Sequence, residues 1–169
     1  SYWHVLPTYR QGRRSVWEGM TREGRPFLDH IPDSRDPAPG KLCVRRRDDE
    51  MQLWMANGST YQVIGGDDPN SLVGANPVGV VFSEWSLMNP ACWTYLRPIL
   101  AENGGWALFI FTPRGRNHAY RTFRQAQENP NWFAQLLTVN DTKAVSDEAI
   151  EEDRKSGMPE HLIQQEYYC

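Results

Sequence analysis

The stretch VGVVFSEWS, residues 78–86, sets Val78, Val80, Val81 and Phe82 directly in front of Ser83 and Glu84. An apolar run of that length, without polar alternation, is the pattern of a buried strand in a parallel sheet. Ligands of open α/β sheets bind just beyond the carboxyl ends of such strands. A carboxylate there is costly unless it has a partner or a task. Glu84 is therefore the first candidate for chemistry, and the serine before it the second.

The remainder of the chain alternates as a parallel sheet requires. SYWHVLPTY reads as a strand stopped by Pro7. Thr8 with Gln11 three places on is a capping-box pattern, predicting a helix with Val16, Trp17 and Met20 on one face. IPDSRDPAPGK is loop. In MQLWMANGSTYQVIGG, Asn57-Gly58 lies between two alternating stretches, the pattern of a β-hairpin. DDPNSLVGANP is loop again, and Asn89-Pro90 then forms an N-cap and N1 pair. The helix it starts carries Trp93, Leu96 and Ile99 or Leu100. GGWALFIFTPRG reads as a second buried parallel strand. Asn117 caps a helix bearing Tyr120, Phe123 and Ala126, and WFAQLLTVND reads as a third strand. Ser146 caps an acidic helix running toward Met158. The expectation is one α/β domain over residues 1–169, with a mostly parallel sheet flanked by helices and an inserted β-hairpin. Beginning inside a strand, without cap or polar lead-in, is expected of a fragment.

Composition narrows the function classes. Three widely spaced cysteines, Cys43, Cys92 and Cys169, show no zinc-ligand spacing and suit a reduced, intracellular protein. The histidines His4, His30, His118 and His161 are scattered and form no metal motif. A formal net charge of −3 does not mark a nucleic-acid binder. Basic clusters lie at Arg10–Arg25, Arg45–Arg47 and Arg114–Arg124, and an acidic one at Asp147–Asp153. No apolar run approaches the roughly 18 residues of a membrane span, so no membrane partner is expected.

Two strands end in polar tips expected at one edge of the sheet, Ser83-Glu84 and Thr112. A glutamate there can orient and deprotonate a water, and a neighbouring hydroxyl can sense a phosphate. The same residue types also end strands simply to cap the next helix. Asp67, Asp68 and Glu84 together could serve an unrelated hydrolase that uses paired carboxylates. Asp67 and Asp68, however, sit in an ordinary turn sequence.

Four phrases occur in order: VLPTYRQGRRSVWEGM, ANGSTYQVIGGDDPNSLVGANPVGVVFSEWSLMNP, GWALFIFTPRGRNHAYRTF and EHLIQQEYYC. Together they resemble the ATPase domain of the large terminase subunit of tailed bacteriophages. The resemblance implies a RecA-like P-loop ATPase fold in a motor that uses ATP and Mg²⁺ to drive phage or prophage DNA into a capsid. It places Glu84 as the catalytic glutamate of a Walker B strand and Thr112 in the coupling motif. It sets Tyr9 and Gln11 near the nucleotide. The implied partners of the complete motor are DNA, the portal protein and the small terminase subunit, in the host bacterial cytoplasm.

The departures carry equal weight. No GxxxxGK[ST] occurs in the chain, so the P-loop strand is expected to be missing, as is the nuclease domain that follows in the family. The chain alone is then expected to be inactive. Ser83 stands where the family has the Walker B aspartate and could reach Mg²⁺ only through its hydroxyl or a water. Val73 stands where many relatives carry a trans-acting arginine. Either Arg114 or Arg116 takes that role or the finger lies in the absent segment, and Arg114 and Arg116 can also be read as solvated loop charges. An absent interior strand leaves apolar surface and unpaired edges, from which a homo-oligomer (a dimer), or an intramolecular strand drawn into the vacancy, is expected. The alternative is a non-catalytic prophage remnant or fragment that acts only as a protein- or DNA-interaction module.

Overall fold

Strand β1 (Tyr2–Leu6) lies between two others and orders the sheet around it: in the computed structural model, which describes residues 1–169, it pairs in parallel with β4 (Thr60–Gly65) and β5 (Gly79–Ser83). The chain divides into two compact units, Ser1–Ile110 and Phe111–Cys169.

In the first unit β1 leads into α1 (Tyr9–Gly12), which continues as a wider turn over Arg13–Trp17. Thr8 caps α1, accepting a hydrogen bond from the Gln11 amide at 3.1 Å. Strands β2 (Cys43–Arg47) and β3 (Gln52–Met55) follow, then β4 and β5, helix α2 (Ala91–Glu102) and β6 (Trp106–Ile110). The sheet order is β2-β3-β4-β1-β5-β6, antiparallel through β2-β3-β4 and parallel from β4 to β6. The Asn57-Gly58 turn joins β3 to β4 as expected, with Gly58 at φ 81°.

One sheet face is closed over β1, β5 and β6. Val5, Val80 and Phe82 are fully buried there. Phe82 stacks on Phe109 of β6 at 4.9 Å between ring centroids, and Trp93 of α2 meets both rings edge-on. The opposite face is closed only over β1 to β4, where Leu6, Trp17, Leu28, Cys43, Met51, Leu53 and Val63 form a second core. Over β5 and β6 it is open. Trp106, Leu108 and Ile110 are 51%, 46% and 52% exposed. Tyr2 lies beside Trp106, with Gly79 between them. A Cβ on Gly79 would sit 2.6 Å from the Trp106 ring and 2.8 Å from Tyr2, so only glycine lets the two rings approach.

Four expectations are corrected here. GGWALFIFTPRG does form a parallel strand, but it is an edge strand with one neighbour, and its alternate residues face solvent because one sheet face is open there. WFAQLLTVND is not a strand. Thr138 and Asp141 form a capping box that winds Val139–Thr142 into the short helix α4, and Phe133 is 83% exposed. Met20 is exposed and lies beyond the turn that buries Trp17, in a bridge with Pro26. The expected hairpin is a three-stranded meander, because Arg45–Arg47 belongs to β2. Arg45 lies over Trp54 at 4.7 Å and Arg46 over Trp17 at 5.0 Å. A run of arginines thus serves as a strand by laying two of its guanidinium groups over indole rings.

The second unit is helical. Asn117 caps α3 (His118–Glu128), its Oδ1 accepting from the Ala119 amide at 3.0 Å. Ser146 caps α5 (Asp147–Lys155), whose acidic first turn and basic last turn suit the helix dipole. Helix α6 (Glu160–Ile163) runs on through Tyr168. Val139, Ile150 and Ile163 make this unit's core, with Val145, Met158, Tyr167 and Tyr168 packed against it. No helix in the chain is long and apolar enough to cross a membrane.

Candidate functional site at the carboxyl ends of β5 and β6

Strand β5 is held on both sides, and its last residue, Ser83, lies opposite Ile110, the last residue of β6. The carboxyl ends of the two strands therefore share one edge. Glu84 follows with φ 57° and ψ 41°, the left-handed region that a glutamate enters at a cost of roughly 1–2 kcal/mol. The strain is held in place by the next residue. Trp85 is buried against Phe82 and Phe109, with ring centroids at 5.4 and 5.1 Å, and Glu84 O closes the turn by accepting from Leu87 N at 2.9 Å. The Glu84 side chain is left exposed at the edge. A non-glycine residue so held at a strand end is the kind of outlier that marks functional turns.

Ser83 is not free. His4 Nε2 of β1 lies 2.7 Å from its Oγ, and His4 Nδ1 lies 3.3 Å from the Tyr61 hydroxyl of β4. His4 escapes a sequence reading that looks only for metal spacing. The available signal is its place in β1, pointing to the same face as the residue diagonal to it on β5. Burial lowers the His4 pKa from its ordinary 6.5 and pushes the Tyr61 phenol up to about 12. The unfolded chain then takes up a proton before the folded one does. Folding stability is therefore whole above about pH 6.5 and falls as the pH drops toward the lowered value. Chemical denaturation between pH 7.5 and 5 is expected to show this slope, and His4→Gln to flatten it.

Thr112 lies two residues beyond β6, at the start of the second unit, half-buried. Within that unit Arg114 pairs with Glu166 at 3.7 Å, and the Arg116 guanidinium lies 5.9 Å from the Tyr120 ring centre. Val73 is exposed at the end of the Pro69–Leu72 turn.

Tyr9 lines a crevice of about 300 Å³ together with Asp49, Glu50, Gln62, Asp67 and Asp68. Its hydroxyl is tied to the β2–β3 turn, accepting from Arg13 at 2.7 Å and donating to the Asp49 carbonyl. Gln11 is engaged with Thr8, whose hydroxyl donates to Gln11 Oε1 at 3.1 Å. Asp67 accepts from the Tyr9 amide and Asp68 from the Asn70 amide, each at 3.1 Å. Both carboxylates therefore act as backbone caps, which removes the support for a paired-carboxylate hydrolase.

No group of three His, Cys, Asp or Glu side chains is placed to hold a metal ion. Mg²⁺ in nucleotide sites takes only one or two protein ligands and completes its octahedron with phosphate oxygens and waters. Ser83 and Glu84 fit an ion held in that way, and do not fit a protein-built cage.

Similarity to known proteins bears on this geometry. The chain is 30% identical over 133 residues to the terminase large subunit of Escherichia phage T5, across 76% of this chain and 30% of that protein. Its fold is that of the Thermus phage P74-26 large terminase ATPase domain, with a TM-score of 0.74 at 21% identity, over 98% of this chain and 74% of that one. The large terminase of a second thermophilic bacteriophage, solved in complex with ADP, matches with a TM-score of 0.71 at 18% identity, over 99% of this chain and 39% of that one. No protein-family model matches the chain. It spans under a third of the length of the curated relative it matches.

Proposed function

We propose that this chain, a homologue of phage terminase large subunits with the RecA-like fold of their ATPase domain, forms part of an ATP-hydrolysing motor that packages DNA. The observation that carries the reading is Glu84, held in a strained turn at the carboxyl end of β5 beside the end of β6. In this reading its carboxylate orients the water that attacks the γ-phosphate and accepts a proton from it. Thr112, leading from β6 into the second unit, links the state of the phosphate to movement. Arg114 or Arg116 supplies the charge that Val73 cannot, and Arg114 must first leave Glu166. Tyr9 and Gln11, in the turn of α1 that Thr8 caps, border the nucleotide. When bound with the nucleotide, Mg²⁺ would neutralise phosphate charge, and Ser83 is the residue of β5 that would hold it. ATP turnover tests the reading directly, with Glu84→Gln as the decisive variant.

The open face of β5 and β6 supports a further part of the proposal. About a quarter of the P74-26 domain has no counterpart in this chain. We assign to it a P-loop strand that pairs with the free edge of β6, and a helix that covers Trp106, Leu108 and Ile110. DNA, the portal protein and the small terminase subunit are the partners of the whole assembly, at work in the host bacterial cytoplasm. Left uncovered, that edge and face drive a homo-oligomer. Light scattering after size exclusion is expected to show association of the chain alone at micromolar concentration. Leu108→Lys with Ile110→Lys is expected to return it to monomer. A wild-type monomer with little dye binding contradicts the assignment.

The non-catalytic reading draws on the same face, since an interaction module also needs an exposed apolar surface. It gives no reason for the strain at Glu84.

A further inference from the structure

Glu84 and Trp85 lie beyond the last paired residue of β5, so the strand ladder does not fix them. Trp85 is held instead between two rings. Phe82 of β5 stands 5.4 Å away with 56° between planes, and Phe109 of β6 stands 5.1 Å away with 62°. Both are the tilted arrangements that attract aromatic rings beyond simple burial. The two walls differ in their support. Phe82 is wholly buried on a strand paired on both sides. Phe109 is half-buried on β6, which has one neighbour. It is gripped in turn by stacking on Phe82 and by Trp93 of α2, edge-on at 5.1 Å and 89°. Phe109 therefore joins the edge strand to the residue that holds the Glu84 turn.

We infer that Phe109 is a positioning residue for the Glu84 carboxylate, acting through Trp85. The inference rests on the nucleotide-site reading, in which Glu84 aligns the attacking water. Phe109 touches neither the water nor the phosphate. Its ring is the wall on the β6 side of the Trp85 indole. With the indole held, the turn stays closed, Glu84 O accepting from Leu87 N at 2.9 Å and Trp85 O from Met88 N at 3.2 Å. A left-handed glutamate persists only where its surroundings over-determine it. Without the Phe109 ring Trp85 keeps one wall, Glu84 relaxes from its φ of 57°, and the carboxylate turns with the backbone. A misplacement of about 1 Å at a reacting group can cost on the order of 100-fold in rate.

The first test needs no nucleotide. In the chain alone, Phe109→Leu is expected to lower the protection of the Leu87 and Met88 amides against hydrogen exchange by about tenfold or more relative to Val5 in the centre of the sheet, as local opening does. Phe109→Tyr, which keeps the ring, is expected to leave that ratio within about twofold of wild type. Equal loss at Leu87, Met88 and Val5 marks a merely structural role and overturns the inference, as does unchanged protection. The second test uses the domain completed with its P-loop segment. There Phe109→Leu is expected to lower kcat roughly 10- to 100-fold with KM for ATP within about twofold, and Phe109→Tyr to retain kcat. On a Glu84→Gln background Phe109→Leu is expected to remove little more, since the base it positions is already gone. Full multiplication of the two effects overturns the positioning role. Wild-type turnover in Glu84→Gln overturns the motor reading instead, and leaves the exchange result at Leu87 standing.

Discussion

Replacing Glu84 with glutamine is expected to lower ATP turnover of the complete domain by about 10³-fold or more, with nucleotide affinity preserved. A positioned general base supplies roughly 10²–10⁴-fold, and the amide keeps the shape of the side chain while removing its basicity. The backbone gives a second arm to the same experiment. Glu84 stands at φ 57°, where a side chain costs roughly 1–2 kcal/mol. Glycine avoids that cost, at an entropic loss of about 0.5–1 kcal/mol. Glu84→Gly is therefore expected to be inactive yet at least as stable as the wild type by urea unfolding, by up to about 1 kcal/mol. A residue kept for its fold would behave in the opposite way. Turnover within tenfold of wild type in Glu84→Gln contradicts the assignment.

The largest effect on stability is expected at Phe82. Its ring is wholly buried, stacks on Phe109 with 10° between planes, and meets Trp93 and Trp85 at 6.0 and 5.4 Å. Truncation removes the shared member of this aromatic cluster and leaves a cavity between β5 and α2. Phe82→Ala is expected to cost about 3–5 kcal/mol, a large fraction of the roughly 5–15 kcal/mol by which domains are stable. Denaturant unfolding measures it. Phe133→Ala, at a residue 83% exposed, is the internal control and is expected to stay within about 0.5 kcal/mol of wild type. A loss below about 1 kcal/mol at Phe82 would mean that the cluster is not the core of this sheet.

What could be read in the sequence follows from how local each signal is. The runs YWHVL and GVVFS, the Asn57-Gly58 turn and the caps Thr8, Asn117 and Ser146 are decided within a few residues, and all form as read. The errors lie where a neighbour decides. WALFI is apolar throughout, as in a central strand, but only the sheet order makes it an edge. WFAQL has strand propensity and is irregular all the same, the chain being drawn into a helix by the capping box at Thr138. CVRRR looks like a charged surface and becomes a strand in which Trp54 and Trp17 receive the guanidinium groups of Arg45 and Arg46. At the site, the strand tip at Ser83-Glu84 was legible. The left-handed turn and the His4 contact were not, since one depends on how Trp85 anchors and the other on a pairing across 79 residues.

The central claim is that Glu84 is the catalytic glutamate of a motor domain to which this chain contributes only part. It is tested most directly by Mg²⁺-dependent ATP turnover in three proteins: the chain alone, the chain joined to the P-loop strand and helix of a homologous terminase, and that joined protein carrying Glu84→Gln. The account predicts turnover in the second alone. Turnover by the chain alone, or equal turnover in the second and third, contradicts it.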